Sequence, residues 1–301
     1  MRRKSSLYFA IILSLIFGIG LAFACQTPTE VKETRTVSSM VINFAKLSAN
    51  MDIVNELRRA MPASSVNIGK GYGHVNSTPT VDIIWTMIGQ VNQGRTWTDL
   101  RRLTGLDPIC TSKGCHTITN RVTGSEGLQW AKDYVDEELV KQGYIVERQN
   151  WSNSGYTDQN LIVRKPGVDY PGEEVYFIAH LDGYLDNNPA ADDDASGAVS
   201  LLELARMLSS RSFSHTVVLV FSTGEEQGAL GSRSYVNQLT LEQLSAIKYL
   251  VSVEMLGYDS NNDGVMELWS GDQPLDFAQL LSGIISNYKL GLTPEIVTGC
   301  T

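Results

Sequence analysis

The stretch VYFIAHLD, residues 175–182, decides the fold of this chain. It opens with five apolar residues, which is typical of a strand buried on both faces of a sheet, and it closes on His180 and Asp182. Residues 216–222 and 249–253 are apolar runs of the same kind. We predict that the three runs are strands of one sheet, and that the chemistry of the protein lies where they end.

The segments around these runs predict helices and further strands. Residues 197–208 place apolar side chains at the spacing of a helix that faces a sheet, and residues 128–139 form an amphipathic pattern. Residues 144–151 and 160–164 predict two more strands. Strands that alternate with helices predict an α/β fold with a mixed, mostly parallel central sheet and helices on both faces, preceded by a small helical N-terminal region.

Acids and one imidazole lie at the predicted ends of all three apolar strands. His180 ends the first strand, Glu225 and Glu226 follow the second, and Glu254 ends the third. The carboxyl ends of parallel strands meet at one edge of a sheet, and ligands bind there. Imidazole and carboxylate together suit a borderline divalent ion, zinc above all. The residues therefore indicate a metal-dependent hydrolase.

Three short motifs carry a resemblance to a known family. They are His-x-Asp at residues 180–182, Ala-Asp-Asp-Asp-Ala-Ser-Gly at 191–197 and Glu-Glu-x-Gly-x-x-Gly-Ser at 225–232. In this order they resemble the two-zinc exopeptidase family of bacterial leucyl aminopeptidases, whose relatives include glutamate carboxypeptidase and the glutaminyl cyclases. The resemblance runs from about residue 121 to residue 301. It implies the phosphorylase/hydrolase-like fold of zinc exopeptidases, two zinc ions and a peptide substrate.

The resemblance also implies a role for each residue of the first two motifs. His180 would bind one zinc ion, and Asp182 would hold the other ring nitrogen of the same imidazole. Asp193 would bridge the two ions, with Asp192 as the next choice. Asp194 would instead shape the turn and cap the helix that follows.

The glutamates complete the implied site. Glu226 would bind the second zinc ion, and Glu225 would be the general base that takes a proton from the zinc-bridging water and passes it to the leaving amine. Glu254 stands where many members of the family carry Asp, and it would complete the ligands of the zinc ion at His180. Glutamate coordinates equally well, but its extra methylene has to be absorbed by a small backbone shift.

A further histidine is expected for the second zinc ion, because the family supplies one later in its sequence. His215 precedes the strand at 216–222, which puts roughly 20 Å of extended chain between it and the edge of the sheet. His74 and His116 precede the region of resemblance. The last four residues resemble the segment directly before the histidine of the family, so we expect the chain to continue beyond Thr301.

The N-terminal residues predict export. A basic start at residues 2–4 precedes an apolar run at 7–23, and the small-x-small pattern of a signal-peptidase site follows at 22–24. Residues 1–24 are therefore the expected signal peptide. An uncleaved membrane anchor and a lipoprotein tethered through Cys25 are the alternatives. We expect the protein to be secreted, periplasmic or attached to the cell surface.

The rest of the chain divides into two predicted regions. Residues 25–120 are predicted as a linker and a helical accessory or propeptide-like region, with one helix at 37–59. Residues 121–301 are predicted as a zinc peptidase domain that is C-terminally incomplete. Cys110 and Cys115 close a short loop in the first of these regions. In an exported protein they are expected to form a disulfide, and a zinc knuckle is the less favoured alternative.

The charge of the chain excludes one class of partner. The formal net charge is −9 and no basic tail is present, whereas binding to nucleic acid depends on clustered Lys and Arg. A peptide substrate is the expected partner. Contact with a membrane is expected only through the N-terminal anchor or a lipidated Cys25.

A calcium site is a weak alternative in the sequence. Residues 259–264 carry side-chain oxygens at the first, third and fifth positions and a glycine at the sixth, as a calcium loop does. The twelfth position is Ser270 rather than glutamate. A polar turn is therefore favoured over bound calcium.

Together these observations predict an exported α/β zinc exopeptidase, most simply an aminopeptidase that removes N-terminal residues from peptides. A carboxypeptidase or a glutaminyl cyclase of the same fold is the alternative within catalysis. A receptor or binding module that has lost its metals is the non-catalytic alternative. The presence of His180, Asp193 and the three glutamates argues against that last reading.

Overall fold

The computed structural model describes residues 83–184, 188–270 and 275–298. Several predictions lie outside these residues, namely those on the signal peptide at 1–24, the helix at 37–59, Cys25 and His74. Within the described ranges, every helix is too short or too polar to cross a membrane.

Seven helices and nine strands form within the described residues. The helices are α1 (Ile83–Ile88), α2 (Gln93–Leu103), α3 (Glu126–Lys141), α4 (Ala195–Ser209), α5 (Leu230–Gln238), α6 (Leu241–Ala246) and α7 (Leu275–Asn287). The strands are β1 (Ile109–Thr111), β2 (Gly114–His116), β3 (Glu147–Asn153), β4 (Tyr156–Lys165), β5 (Tyr170–His180), β6 (His215–Ser222), β7 (Ile247–Ser252), β8 (Val265–Ser270) and β9 (Thr293–Thr298). Each helix and strand predicted between residues 128 and 253 is present, with small shifts at its ends.

The central sheet has five strands in the order β3-β4-β6-β5-β7. Strand β5 pairs in parallel with β6 and β7, whereas the pairs β3–β4 and β4–β6 are antiparallel. The predicted α/β fold with a mixed sheet is confirmed, and parallel pairing is confined to the three strands that were predicted to carry the site. The register places His180 beside Ser222 and Ile178 beside Ser252. The carboxyl ends of β5, β6 and β7 therefore meet at one edge.

A tight hairpin makes the other half of the sheet antiparallel. The turn between β3 and β4 consists of Ser154 and Gly155, whose φ angles are +51° and +84°. Two consecutive left-handed residues give the turn whose twist matches a β-hairpin, and glycine adopts this conformation without strain. The hairpin brings β4 back along β6, so Asn160 lies buried beside the edge where β6 ends.

Helices cover both faces of the central sheet. On one face, α3 and α4 pack on strand residues such as Phe177 and Leu219. On the other face, Tyr176 and Val218 pack with Tyr235 of α5 and with α6. Neighbouring residues of one strand thus point to opposite faces, which is the two-residue period of a β-strand.

The segment before residue 121 packs into the same core. Leu103 of α2 and Ile109 of β1 are fully buried in the cluster that contains the side chains of α4. Asp99 of α2 accepts hydrogen bonds from Tyr134 of α3 and from Arg206 of α4. Helix α4 is buried along nearly its whole length as a result. The domain boundary expected near residue 121 stays a prediction. Helix α2, which precedes that residue in the chain, packs directly on α4, which follows it.

Two smaller units flank the central sheet. Strands β8 and β9 form a separate parallel pair on which α7 packs, with Ile84 of α1 in the same apolar cluster as Phe277 and Ile285. Cys110 and Cys115 lie opposite each other in the β1–β2 pair and form a disulfide. The predicted disulfide is therefore confirmed in preference to the zinc knuckle.

Candidate metal centre

The ends of β5, β6 and β7 bring one imidazole and two carboxylates together. His180, Glu225 and Glu254 each offer a ligand atom, and these atoms all lie within 4.8 Å of one another. No second group of three or more metal-binding side chains of this kind is present in the part of the chain that the structure describes. The His180 ring is buried, whereas both glutamates are half-buried. The predicted convergence at the edge of the sheet is thus present in the fold.

Asp193 lies against the same imidazole. Its Oδ1 is 3.0 Å from Nε2 of His180, and its side chain is 45% exposed. The other two aspartates of the triplet have different partners. Asp192 accepts a hydrogen bond from the loop after β7, and Asp194 accepts hydrogen bonds from the backbone N–H groups of Gly197 and His180. Asp193 is therefore the member that faces the imidazole, and Asp194 caps α4 as predicted.

Asp182 connects His180 to the loop after β6. Its Oδ1 lies 3.5 Å from Nδ1 of His180, and its Oδ2 accepts a hydrogen bond from the backbone N–H of Glu226 at 3.2 Å. The side chain is fully buried, and its Oδ1 has no hydrogen-bond partner among the described residues. A carboxylate that accepts the second N–H of a metal-binding imidazole fixes the orientation of the ring. Nδ1 of His180 lies 3.1 Å from the main-chain carbonyl of Asp182, so the carbonyl and the nearby carboxylate of this residue together fit that role.

A tight loop after β6 carries Glu225 and Glu226. Gly224 starts this loop with a φ angle of +74°, and a Cβ atom at this position would lie 2.6 Å from the ring of Trp151. Glycine is therefore required here both for its backbone conformation and for the close approach of the indole. The loop turns Glu225 toward His180 and Glu254, as their ligand-atom distances record.

Buried polar side chains of β3 and β4 hold this loop in place. Asn160 donates a hydrogen bond to the carbonyl of Gly231 at 2.9 Å and accepts one from the backbone N–H of Thr223 at 3.0 Å. Nε1 of Trp151 donates to the hydroxyl of Thr223 at 2.9 Å. Both ends of the loop are thus fixed by buried side chains of β3 and β4.

The N-terminal turn of α4 holds the loop that carries Glu254. Oγ of Ser196 accepts a hydrogen bond from the backbone N–H of Leu256 at 2.9 Å, and Oδ1 of Asp192 accepts one from Gly257 at 2.6 Å. Two consecutive amides after Glu254 are therefore bonded to the segment that carries Asp193. The positions of Glu254 and Asp193 are therefore coupled by these main-chain hydrogen bonds as well as by the charges of the two carboxylates.

Burial raises the pKa of each glutamate of the site. The pKa of Glu226 is raised to about 7 by burial first and then by the charge of Asp193. Burial also raises the pKa values of Glu225 and Glu254, although the charge of His180 opposes the shift. Crowded carboxylates in a partly dry site repel one another, and a divalent cation relieves that repulsion. The donor set of imidazole and carboxylate fits zinc.

His180 holds a proton firmly in the metal-free site. Burial alone lowers the pKa of its imidazole, but the neighbouring carboxylates of Asp182, Asp193 and Asp194 raise that pKa well above its usual value. A metal ion binds only the deprotonated ring nitrogen, so it must displace this proton. Metal binding at this site is therefore expected to depend on pH.

The remaining histidines in the described residues lie away from the site. His215 begins β6 at the opposite edge of the sheet, where its Nε2 is 3.1 Å from Glu173. His116 follows the disulfide and stacks on Trp130 with ring centroids 4.3 Å apart. The expectation that neither histidine serves the edge of the sheet is confirmed by these positions.

The residues that resemble a calcium loop form a polar turn. Oδ1 of Asp259 accepts a hydrogen bond from the backbone N–H of Asp263 at 3.1 Å, and Oδ1 of Asp263 accepts one from Val265 at 2.8 Å. The side-chain oxygens are thus used by the backbone of the turn itself. Calcium binding here stays a prediction.

The sequence did not single out several buried polar residues that hold the site. Arg121 and Thr123 contact the loop after β5, and Asn160 holds the loop after β6. Their partners lie 59 to 71 residues away in the chain. Of these three residues, only Asn160 could have been found from its sequence neighbourhood, because it is a polar residue within a predicted strand.

The fold and the site together define an α/β domain that offers a divalent cation one imidazole and several carboxylates at the carboxyl edge of parallel strands. Residues 160–298 match the sequence pattern of a known family, described as Peptidase family M28. This match confirms, for that part of the chain, the family resemblance drawn from the three motifs. The matched residues include each predicted metal ligand and the predicted base.

Curated relatives match this domain over part of their length. Leupeptin-inactivating enzyme 1 of Streptomyces exfoliatus is 32% identical over 140 residues, which is 46% of this chain and 32% of that protein. Aminopeptidase Y of Saccharomyces cerevisiae is 33% identical over 112 residues, which is 35% of this chain and 20% of that protein. The alignments thus span a third or less of the length of these two relatives.

Solved structures share the fold. The Legionella pneumophila LapA aminopeptidase superposes with a TM-score of 0.55 at 22% identity, over 69% of this chain and 55% of that chain. BSAP, a zinc aminopeptidase from Bacillus subtilis, superposes with a TM-score of 0.57 at 12% identity, over 68% of this chain and 84% of that chain. A Bacteroides thetaiotaomicron glutaminyl cyclase superposes with a TM-score of 0.53 at 16% identity, over 69% of this chain and 77% of that chain. At these identities the likeness concerns the α/β fold.

Proposed function

We propose that this protein is a zinc-dependent aminopeptidase that removes N-terminal residues from peptides. One observation carries the proposal, namely the convergence of an imidazole and two carboxylates at the edge of the sheet, with Asp193 against the same imidazole. This set lies within a domain of a peptidase family. Relatives named zinc metalloprotease, leucine aminopeptidase and aminopeptidase support the same class of reaction.

The arrangement of the acids supports two zinc ions. His180, Glu254 and Asp193 would hold one ion, and Asp193 and Glu226 would contribute to the other. Asp193 contacts the His180 ring, and its charge also raises the pKa of Glu226, which supports a bridging role for Asp193. When bound, zinc acidifies water and polarises the scissile carbonyl.

Glu225 is the proposed general base. Its carboxylate is half-buried beside His180 and Glu254, and burial raises its pKa above the ordinary value of a glutamate. A carboxylate with such a pKa can take a proton from the attacking water and return it to the leaving amine. Asp182 would keep the His180 imidazole in the orientation that metal binding requires, through the 3.1 Å contact of its main-chain carbonyl with Nδ1 and the carboxylate oxygen 3.5 Å from the same nitrogen.

The charge of the site favours a substrate with a free α-amine. Asp193 is nearly half exposed, and Glu226 lies beside it with a raised pKa. A protonated N-terminus would be attracted by these carboxylates, whereas a C-terminal carboxylate would be repelled. This sign of charge supports an aminopeptidase rather than a carboxypeptidase.

Three matched peptides test the proposed reaction. One is free at both ends, one is acetylated at its N-terminus, and one is amidated at its C-terminus. Mass spectrometry should detect stepwise loss of N-terminal residues from the free and the amidated peptide, and none from the acetylated peptide. Loss of C-terminal residues would replace the proposal by a carboxypeptidase. Loss of ammonia without chain shortening from a Gln-initiated peptide would replace it by a glutaminyl cyclase.

We also propose that the protein is exported through residues 1–24. The disulfide between Cys110 and Cys115 supports this, because such bonds persist in oxidising compartments. Intact-mass spectrometry of protein isolated from its native host should give a chain that begins at Cys25, and an added lipid mass would identify a lipoprotein. A full-length chain in the cytosol would contradict export.

A further inference from the structure

Arg121 is a fully buried cation whose side chain bonds, among the described residues, only to main-chain carbonyls. It is 1% exposed and heads the largest fully buried side chains in the described residues. Nε donates to Leu181 at 2.7 Å, Nη1 to Leu103 at 2.6 Å and to Pro189 at 2.8 Å, and Nη2 to Ala190 at 2.8 Å. Within the described ranges, no carboxylate forms an ion pair with it.

Three of these four carbonyls, those of Leu181, Pro189 and Ala190, lie at the two ends of the loop between β5 and α4. Leu181 directly follows His180, and Ala190 stands three residues before Asp193. A single guanidinium is therefore bonded to the start and to the end of the loop that follows His180 and carries Asp193. The carbonyl of Arg121 also accepts a hydrogen bond from the backbone N–H of Gly183 at 3.0 Å. Main chain and side chain of one residue thus close the base of the loop.

A buried guanidinium is costly, so its retention needs a physical reason. Burial lowers the pKa of Arg121 to about 10, and the charges of Asp194, Asp182 and Asp193 act against that shift. Leu103 is the last residue of α2, and the C-terminal end of a helix carries partial negative charge. An apolar side chain of similar length would fill the same volume at lower cost, but it could not bond to four carbonyls in three segments.

We propose that Arg121 is a positioning residue for the metal centre. It closes the loop between β5 and α4, so that Nε2 of His180 and Oδ1 of Asp193, which would both bind the proposed zinc ion, are held 3.0 Å apart. The inference rests on the proposed function in one respect, because it assigns the loop a task in zinc binding. It requires no assumption about which substrate is cleaved.

The direction of the change in zinc affinity distinguishes a positioning role of Arg121 from an effect of its charge alone. A cation near the site repels zinc, so loss of the Arg121 charge alone would strengthen zinc binding. Loss of the bonds that close the loop would weaken it, since His180 and Asp193 would no longer be pre-arranged. The variant Arg121→Lys keeps the charge but replaces the planar fork by one ammonium group, which isolates the geometric part. Arg121→Met removes both charge and bonds.

Arg206 provides the matched control. It is 8% exposed, and it pairs with Asp99 and Glu138, away from the loop between β5 and α4. Arg206→Met should therefore lower the melting temperature, because a buried arginine is lost, but it should leave the zinc dissociation constant unchanged. All measurements use the full chain at a temperature well below the lowest melting temperature of the set.

The experiment measures the zinc dissociation constant by competition with a chromophoric chelator, and the visible absorption spectrum of the Co²⁺-loaded protein. Arg121→Met should bind zinc about 10- to 100-fold more weakly, and Arg121→Lys should also bind more weakly, with altered Co²⁺ bands in both. Arg206→Met should keep the dissociation constant and the bands of the unmodified protein. If Arg121→Met does not fold, Arg121→Lys decides the question alone.

Each result has a separate consequence. Unchanged or tighter zinc binding in a folded Arg121 variant overturns the positioning role and leaves the proposed peptidase intact. An equal loss of zinc affinity in Arg206→Met also overturns it, because the effect would then reflect general destabilisation. Unmodified protein that binds zinc but cleaves no peptide overturns the proposed function alone.

Discussion

Asp182 accepts a hydrogen bond from the backbone N–H of Glu226 at 3.2 Å, although the two residues are 44 positions apart in the chain. One carboxylate therefore joins the end of β5 to the loop after β6. Its other oxygen faces Nδ1 of His180 at 3.5 Å. The orientation of the imidazole and the position of Glu226 are thus set by the same buried group.

Replacement of Asp182 by asparagine should weaken zinc binding about 10- to 100-fold, because the amide supplies no negative charge to the imidazole. Competition with a chelator measures the change. Asp169→Asn serves as the control, since Asp169 is exposed and bonds to Ser214 outside the site. Equal zinc affinity in Asp182→Asn and the unmodified protein would contradict the role of Asp182.

Glu225→Gln should lower peptide hydrolysis by about 10²- to 10⁴-fold while zinc content stays near that of the unmodified protein, because a general base is lost and the ligands remain. Glu226→Gln should instead reduce zinc content. Elemental analysis and initial rates on the free peptide distinguish the two. A Glu225→Gln protein with full turnover rejects the assigned base, and one that has lost zinc makes Glu225 a ligand.

The metal-free protein should become less stable as the pH rises from about 5 to about 8. The pKa of Glu226 is about 7 in the fold, above its ordinary value of 4.5. The folded state therefore binds this proton more tightly than the unfolded chain does. The stability that the proton contributes is complete below about pH 4.5 and is lost as the pH rises through 7. The raised pKa values of Glu225, Glu254 and His180 act in the same direction.

Thermal denaturation of chelator-treated protein across this pH range measures the trend. Glu226→Gln should reduce the slope, because the substituted side chain does not titrate. Added zinc should raise the melting temperature more at pH 8 than at pH 5, since its ligands bind in the deprotonated form. A metal-free melting temperature that increases with pH would be the opposite of the expected sign.

Ser196→Ala should lower both stability and zinc affinity. The hydroxyl of Ser196 accepts the backbone N–H of Leu256, so its removal leaves a donor without this partner beside Glu254, at a cost of about 1–3 kcal/mol. The control is Ser200→Ala, one turn further along α4, where the buried hydroxyl donates only to the carbonyl of Ser196. Ser200→Ala should leave zinc affinity unchanged. A zinc affinity that responds equally to both variants would assign the effect to α4 as a whole.

Local patterns accounted for the elements and for the acids at their ends. The apolar run before His180 predicted β5 because a strand buried on both faces carries apolar residues without interruption. The caps were predictable in the same way, since the Asp194 carboxylate bonds to an amide three residues ahead. The motif around Asp193 was read as a metal-binding segment, and the fold places its carboxylate against the imidazole.

Other parts of the arrangement have no local pattern. Nothing next to Arg121 in the sequence indicates that it bonds to carbonyls at residues 103, 181, 189 and 190. Likewise, the antiparallel pairing of β4 with β6 depends on the hairpin turn at Gly155 and on which strand of the sheet offers an unpaired edge to β4. A buried polar group is recognised only when its distant partners are known.

By itself, the sequence determined the strands, the cap of α4 and the identity of the acids and imidazole at the strand ends, because each depends on residues within a few positions of one another. Only the tertiary structure decided which aspartate faces His180 and how Arg121, Asn160 and Ser196 hold the three loops. The physical reason is that a hydrogen bond depends on distance in space, and these partners are brought together only when the sheet and its helices have packed.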